Sequence, residues 1–333
     1  MDEKRLEQMS LNEIHEAARR LIRAEAWEYV MGAAGSGATM SRNVAAFKNF
    51  LFQQRIFHQV TDPDTSVTLF GRTVPTPAWI APIGSFYRIN ETAERDVADG
   101  ASSANTMLFV SYATQSNVRA WAQGTSAPLV YIGYMQQGRD EVSNAVRVAQ
   151  ELGYVAVGLV MDSIQPQRIG EIVPLTRQGK PRRGNPACPE DIEWLKTQTS
   201  LPVVIKGILS AEDARIAVNA GADAIVVSNH GGRLFDQTRA TLEVLPEVIA
   251  AVGGTVPVIL DGGVRNGGDI VKAIALGAKA ALVGRPICWG VAVSGAIGVK
   301  RVIEILTQDV KRVLIMTGVG AVAQITDSII VRA

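Results

Sequence analysis

Cysteine is scarce in this chain. Cys188 and Cys288 are the only two among 333 residues, and no Cys-x-x-Cys occurs. That spacing argues against a zinc or iron–sulfur site built on thiolates. One disulfide remains open as a reading, and two free thiols in a reducing compartment is the plainer one. Histidine is equally rare, at three residues, with no His-x-His or His-Glu-x-x-His and no clustered carboxylates. No metal centre is expected. Charge of one sign is also missing. The 33 basic and 32 acidic residues leave a net charge of +1, without the basic excess of a nucleic-acid binder. No run approaches 18 apolar residues without polar interruption, so no spanning helix and no membrane partner are expected. The N-terminus MDEKRLEQMSLNEIHEAARR is charged and amphipathic, unlike a signal peptide. The cytoplasm is the expected compartment.

What is present is apolar residue, 47% of the chain, in a repeating rhythm. Eight short runs end in Gly, Pro, Ser, Asp or Lys: AWIAP (78–82), MLFVS (107–111), PLVYI (128–132), VAVGLVMD (155–162), PVVIKG (202–207), AIVVSNHGG (224–232), PVILDGG (257–263) and AALVGRP (280–286). Most recur every ~20–30 residues, the room that a strand plus its return helix needs. Eight such units predict an α/β fold, a closed (β/α)8 TIM barrel. An open dinucleotide-binding sheet would carry Gly-x-Gly-x-x-Gly after an early strand, and none is found. The helices have recognisable ends. Ser210 stands three residues before Asp213 and Gly221 follows as a stop, and Gly277 ends GGDIVKAIALGAKA in the same way.

Residues 1–77 read as an N-terminal helical extension packed on the barrel. They hold a helix over 11–31, the glycine-rich MGAAGSGATM, a mixed stretch over 42–58 and a hairpin in TDPDTSVTLFGRTVPTP. Residues 78–333 form the barrel, with two closing helices over 291–333. The widest interval, 163–190, holds five prolines and, between 177 and 183, the basic residues Arg177, Lys180, Arg182 and Arg183. It follows strand four on the side where barrels place active-site loops, and reads as a mobile loop or as a structureless surface excursion.

Three segments carry chemistry. SNHGGR (228–233) ends the sixth run and sets His230 at the mouth of the barrel, where an imidazole suits proton transfer. The alternative is a structural histidine. Arg233 is placed for a forked contact with a carboxylate, and Asp236 to orient the imidazole. Lys206 ends the fifth run, and a lone lysine there needs a negative partner: an anionic substrate, an electron-rich cofactor ring, a carbonyl for Schiff-base formation, or a buried carboxylate. DGGVRNGGD (261–269) and GRP (284–286) combine glycines with Arg265 and Arg285 after strands seven and eight, the usual phosphate site of this fold, although tight turns alone also use glycine.

With these residues the chain resembles the FMN-dependent 2-hydroxy acid oxidases and dehydrogenases, the group of lactate oxidase and glycolate oxidase. The resemblance runs from Tyr29 to the last helix and is strongest in LPVVIKGILSAEDARIAVNAGADAIVVSNHGG and DGGVRNGGDIVKAIALGAKAALVGRP. It implies an FMN enzyme that oxidises a small, lactate-like L-2-hydroxy acid to the 2-oxo acid and passes electrons to oxygen or another acceptor. It implies His230 as base, Arg233 and Arg168 on the substrate carboxylate, and Tyr29 and Tyr134 against the substrate. Lys206 is then the cation at the flavin N1–C2=O edge. Ala81, Pro82, Ile83, Ser111 and Ser228 touch the flavin. Asp261, Gly263, Arg265, Gly284 and Arg285 hold its ribityl phosphate end. A homo-oligomer, a tetramer, is also implied. The departures are Ile132 and Val160, where the family has Gln and Thr bonding the flavin pyrimidine, an arginine displaced by one position at Arg168, a shortened loop after it, and LFD in place of Gln-Leu-Asp after Arg233. They leave a second reading, a weakly active or non-catalytic flavin binder with a structural or regulatory role.

Overall fold

A computed structural model describes residues 3–114, 117–164 and 186–333. Eight parallel strands close on themselves: β1 (Ala78–Ile80), β2 (Leu108–Ser111), β3 (Leu129–Gly133), β4 (Ala156–Val160), β5 (Val203–Ile208), β6 (Ala224–Val227), β7 (Val258–Leu260) and β8 (Ala281–Val283). Closure is made by β8 against β1, with Ala281, Leu282 and Val283 opposite Ala78, Trp79 and Ile80. These are the eight apolar runs of the sequence. They are apolar on both faces because one face fills the barrel and the other lies under helices. Trp79 stacks on Phe109 at 6.3 Å, and its indole N–H donates to the Thr76 carbonyl at 2.9 Å, so a large ring is buried without an orphaned polar atom.

The helices between strands end as their capping residues dictate. The Ser210 hydroxyl accepts from the Asp213 N–H to open Ala211–Asn219, and Asn266 accepts from the Asp269 N–H to open Gly267–Ala275. Gly221 and Gly277 follow these helices with φ of 97° and 106°.

Two expectations are corrected. The helix expected over 11–31 is two helices, Leu11–Leu21 and Ala24–Met31, because Ile22 turns extended (φ −74°, ψ 130°) and buries its side chain. The C-terminal part is not two helices over 291–333. Arg285–Thr317 is helical throughout except at Ser294 and Gly295, where the backbone breaks, and the chain leaves the helix at Gly318 (φ 71°). Its last strand, Ile330–Arg332, pairs antiparallel with Phe50–Phe52, which ties the C-terminus to the N-terminal extension. By length and composition alone Arg285–Thr317 is long and apolar enough to cross a membrane. Yet 61% of its apolar window is buried within the molecule, as in a core helix of a folded domain. The expected hairpin is present as Val67–Leu69 and Arg72–Val74, joined by Phe70 and Gly71 with φ of 50° and 69°. Both cysteines are free thiols.

Most of the 163–190 loop, residues 165–185, lies outside the described residues, and with it Arg168, Arg177, Lys180, Arg182 and Arg183.

Candidate active site

Register fixes which side chains share the barrel interior. Ser111 lies opposite Ile132, Ile132 opposite Gly158, and Val160 opposite Lys206. Register partners in parallel strands point to the same face, and Lys206 lines the cavity at the barrel mouth. Ser111, Ile132, Val160 and Lys206 therefore stand on one inner wall. Ile132 is fully buried and Val160 nearly so, which leaves an apolar patch between a hydroxyl and an ammonium.

Lys206 does not stand alone. Its Nζ donates to Ser228 Oγ at 2.7 Å and pairs with Asp261 Oδ2 at 3.0 Å, with both charged side chains under a tenth exposed. Burial works against its charge, but Asp261 and Asp162 outweigh that penalty and hold the ammonium above its ordinary range. Lys206 thus stays cationic. The next residue is Gly207, with φ of 105°, at an irregularity in β5. A side chain there would begin 2.7 Å from Asp162 Cβ, so glycine makes room for that carboxylate.

His230 sits in a strained turn. It has φ of 57°, followed by Gly231 at 66° and Gly232 at 76°. A left-handed non-glycine residue is costly and persists where its surroundings over-determine it. The surroundings here are specific: the His230 N–H donates to Ser228 Oγ at 3.1 Å, and Asn229 Oδ1 accepts from the Gly232 N–H at 3.2 Å. The Asn229 and Asn43 side chains exchange a pair of 2.8 Å amide bonds.

The imidazole partner differs from the one expected. Asp162 Oδ1 lies 3.1 Å from His230 Nδ1. Asp236 accepts instead from the Ser36 N–H and hydroxyl, both at 2.7 Å, and from the Thr39 N–H at 2.9 Å, capping the helix Ala38–Ala46. The left-handed run at 230–232 turns the chain away before Asp236 can return to the ring. Asp162 was legible as the polar end of the fourth run, but sequence proximity favoured Asp236. Burial opposes ionisation of Asp162, while His230 and Lys206 together draw its pKa below the ordinary carboxylate range. An ionised carboxylate only accepts, so Nδ1 carries the hydrogen and Nε2 is left for a ligand.

Three guanidiniums gather at the cavity, held by carbonyls rather than carboxylates. Arg233 Nη1 donates to Tyr29 O at 2.7 Å and Gly32 O at 3.1 Å. Arg285 donates to Val30 O at 3.1 Å, Gly231 O at 3.0 Å and Gly32 O at 2.8 Å. The acceptors at the end of helix Ala24–Met31 would otherwise be orphaned, which explains how the extension is fastened to the site. Arg265 donates to Val264 O at 2.8 Å and lies 5.4 Å from the Trp289 ring centre. Desolvation, with repulsion from Arg233 and Arg265, brings Arg285 down to about 9, and desolvation brings Arg265 to about 10.

The cavity holds about 900 Å³ of space, part of it open to solvent. Ala81, Pro82, Ile83, Gly263, Gly284 and Tyr29 line it beside the charged residues. Ser111, Ser228 and Tyr134 do not line it. Ser111 Oγ accepts from the Ala113 N–H at 3.1 Å, and the Tyr134 N–H donates to Gln137 at 3.1 Å. Asp261, expected with the phosphate loops, is committed through one oxygen to Lys206, and its Oδ1 is buried without a partner. A phosphate-bearing group fits this arrangement. Arg265 and Arg285 are desolvated cations that make no ion pair among the described residues, beside glycines that let backbone approach closely.

Comparison with known proteins agrees. A family model described as FMN-dependent dehydrogenase matches residues 18–173 and 175–332. A peroxisomal (S)-2-hydroxyacid oxidase of Arabidopsis thaliana is 34% identical, the alignment covering 96% of this chain and 95% of the relative. A 2-hydroxyacid oxidase 2 of Homo sapiens is 33% identical over 96% of this chain and 97% of its own. The crystal structure of a mandelate oxidase superposes with a TM-score of 0.89 at 32% identity, covering 94% of this chain and 96% of that one.

Proposed function

This chain belongs to the FMN-dependent dehydrogenase family and is an FMN enzyme that oxidises 2-hydroxy acids, and we propose that it takes a small L-2-hydroxy acid with His230 as general base. The observation that carries the reading is the Asp162–His230 pair beside a cavity that Lys206, Arg233, Arg265 and Arg285 also line.

Arg265, Arg285 and the backbone at Gly263 and Gly284 would hold the phosphate, Ala81, Pro82 and Ile83 would lie along the ring, and Lys206 would face its N1–C2=O edge. The resemblance adds Ser111, Ser228 and Asp261, of which Asp261 lines the cavity. When bound, FMN supplies an acceptor for the two electrons and the hydrogen that leave the substrate C2.

The remaining work belongs to the chain's own residues. Among the described residues Arg233 has no partner on Nε and Nη2, which would meet the substrate carboxylate, while its Nη1 is anchored on Tyr29 and Gly32. The resemblance adds Arg168 to that carboxylate and Tyr29 and Tyr134 to the substrate's flanks. His230 Nε2 takes the hydroxyl proton, and Asp162 stabilises the imidazolium that results. Lys206 would offset negative charge at the N1–C2=O edge of a bound flavin.

The test is an anaerobic panel of L- and D-2-hydroxy acids against the FMN-loaded protein, read as loss of the yellow absorbance. Bleaching by a short L-acid, and not by its D-isomer, is expected. A protein that binds FMN and is bleached by no member of the panel refutes the reading.

A further inference from the structure

Among the described residues, charge at and beside the cavity does not balance with a monoanionic substrate. Lys206 is matched by Asp261, and His230 by Asp162. A bound phosphate would match Arg265 and Arg285, and one substrate carboxylate would match Arg233, with Arg168 outside the described residues. Arg88 is left over. It ends the short turn Phe86–Arg88 after β1, where Ser85 with φ of 64° redirects the chain, and its neighbours Phe86 and Ile89 line the cavity. Its guanidinium carbon lies 4.8 Å from the centre of the Tyr29 ring and 5.6 Å from that of Tyr87. Among the described residues its Nε is shielded from solvent without a hydrogen-bond partner, and its guanidinium makes no ion pair. The guanidinium carbon of Arg233 lies at the same 4.8 Å from Tyr29. The two cations are therefore no more than twice that distance apart and share one cavity-lining ring.

Two guanidiniums on one tyrosine repel each other. Stacking on the ring face relieves part of that cost, and an anion reaching both relieves more. We propose that Arg88 receives a second anionic group of the substrate, so that the site is built for a 2-hydroxy acid carrying two carboxylates. In this reading Arg233 takes the carboxylate next to the reacting carbon and Arg88 takes the distal one. Tyr29 spaces the two guanidiniums and fixes how long the acid between them must be. The proposal rests on the 2-hydroxy acid reading above and deepens it.

Binding and turnover separate the two. Binding is measured first, by calorimetry on the FMN-loaded protein, with 2-oxoglutarate and 2-oxopentanoate, which share a chain length and differ in the distal carboxylate. The expected result is binding of 2-oxoglutarate at least about tenfold tighter, the size of one charge-assisted hydrogen bond to a partly buried cation. Arg88→Met should bring the ratio between the two ligands close to one, and Arg88→Lys should restore part of it. The corresponding 2-hydroxy acids then reduce the bound flavin under anaerobic conditions, with the same preference carried in KM. Equal binding of the two ligands by the wild type, or equal weakening of both in Arg88→Met, overturns the proposal. The second outcome would place Arg88 on the proximal carboxylate. A wild type that discriminates between the two ligands but is reduced by no 2-hydroxy acid overturns the catalytic reading and leaves the charge assignment standing.

Discussion

At the scale of single residues the account turns on which carboxylate serves His230. A neutral amide at Asp162 keeps the shape and loses the charge that stabilises the protonated ring. Asp162→Asn should therefore slow flavin reduction by roughly 10–150-fold, the worth of a hydrogen bond to a charged group. Asp236→Asn should leave the rate within about threefold at matched FMN content, because its bonds go to Ser36 and Thr39. Single-turnover rates of the two variants decide between them. Asp236 has a different signature, in stability. Its bonds to the Thr39 backbone and to Ser36 hold its carboxyl below the usual range. The folded state thus releases this proton more readily than the unfolded chain. The stabilisation is complete above the unfolded value of about 4 and is lost as pH falls through the lower folded value. Melting temperatures should show a wild-type advantage over Asp236→Asn that is constant near neutrality and shrinks below about pH 4. An advantage that does not change with pH contradicts the capping role. The pairing of His230 with Asp162 was invisible to sequence reasoning for a plain reason: the two are 68 residues apart and meet only because β4 and β6 flank β5. His230, Lys206, Arg233, Arg265 and Arg285 were legible because each ends an apolar run, where a charged side chain has no structural excuse.

Elements explain what the runs alone did not. The inner wall from Ser111 through Ile132 and Val160 to Lys206 follows from strand register. It places two apolar side chains where the resemblance implies hydrogen bonds to the flavin pyrimidine. Ile132→Gln should tighten FMN by roughly 2–10-fold, the net gain of one hydrogen bond. The same change should lower the melting temperature of the FMN-free protein, since it buries an unmatched amide. Fluorescence titration with FMN and thermal unfolding of the FMN-free form check both halves. Weaker FMN binding in the variant would place the pyrimidine edge elsewhere. A second element-scale prediction concerns Arg285, whose donors are held by the carbonyls of Val30, Gly231 and Gly32. Arg285→Met should weaken FMN by more than tenfold and leave riboflavin, which lacks the phosphate, far less affected. A variant that weakens both equally would make Arg285 a structural tie between the extension and the barrel. The helix break at Ile22 and the break at Ser294–Gly295 escaped the sequence reading because apolar spacing continues through them, and only packing forces the backbone to turn.

For the whole molecule the barrel was the most legible feature. Eight apolar runs at near-regular spacing, each with its own capped helix, leave little freedom in topology. Less legible was the role of the extension. Its first helices and its strand Phe50–Phe52 fasten to the closing helix and to the C-terminal strand, and helix Ala24–Met31 delivers Tyr29 and three carbonyls to the arginines. These are long-range contacts between chain ends, which local periodicity does not encode. The central claim joins all three scales: a barrel that presents FMN to a 2-hydroxy acid whose proton leaves to His230. The most direct measurement is anaerobic stopped-flow absorbance of the bound flavin, wild type against His230→Gln, with FMN occupancy matched. The account predicts rapid reduction of the wild type by an L-2-hydroxy acid and a loss of roughly 10²–10⁴-fold in the variant, the usual worth of a positioned general base. A loss smaller than about threefold would contradict it.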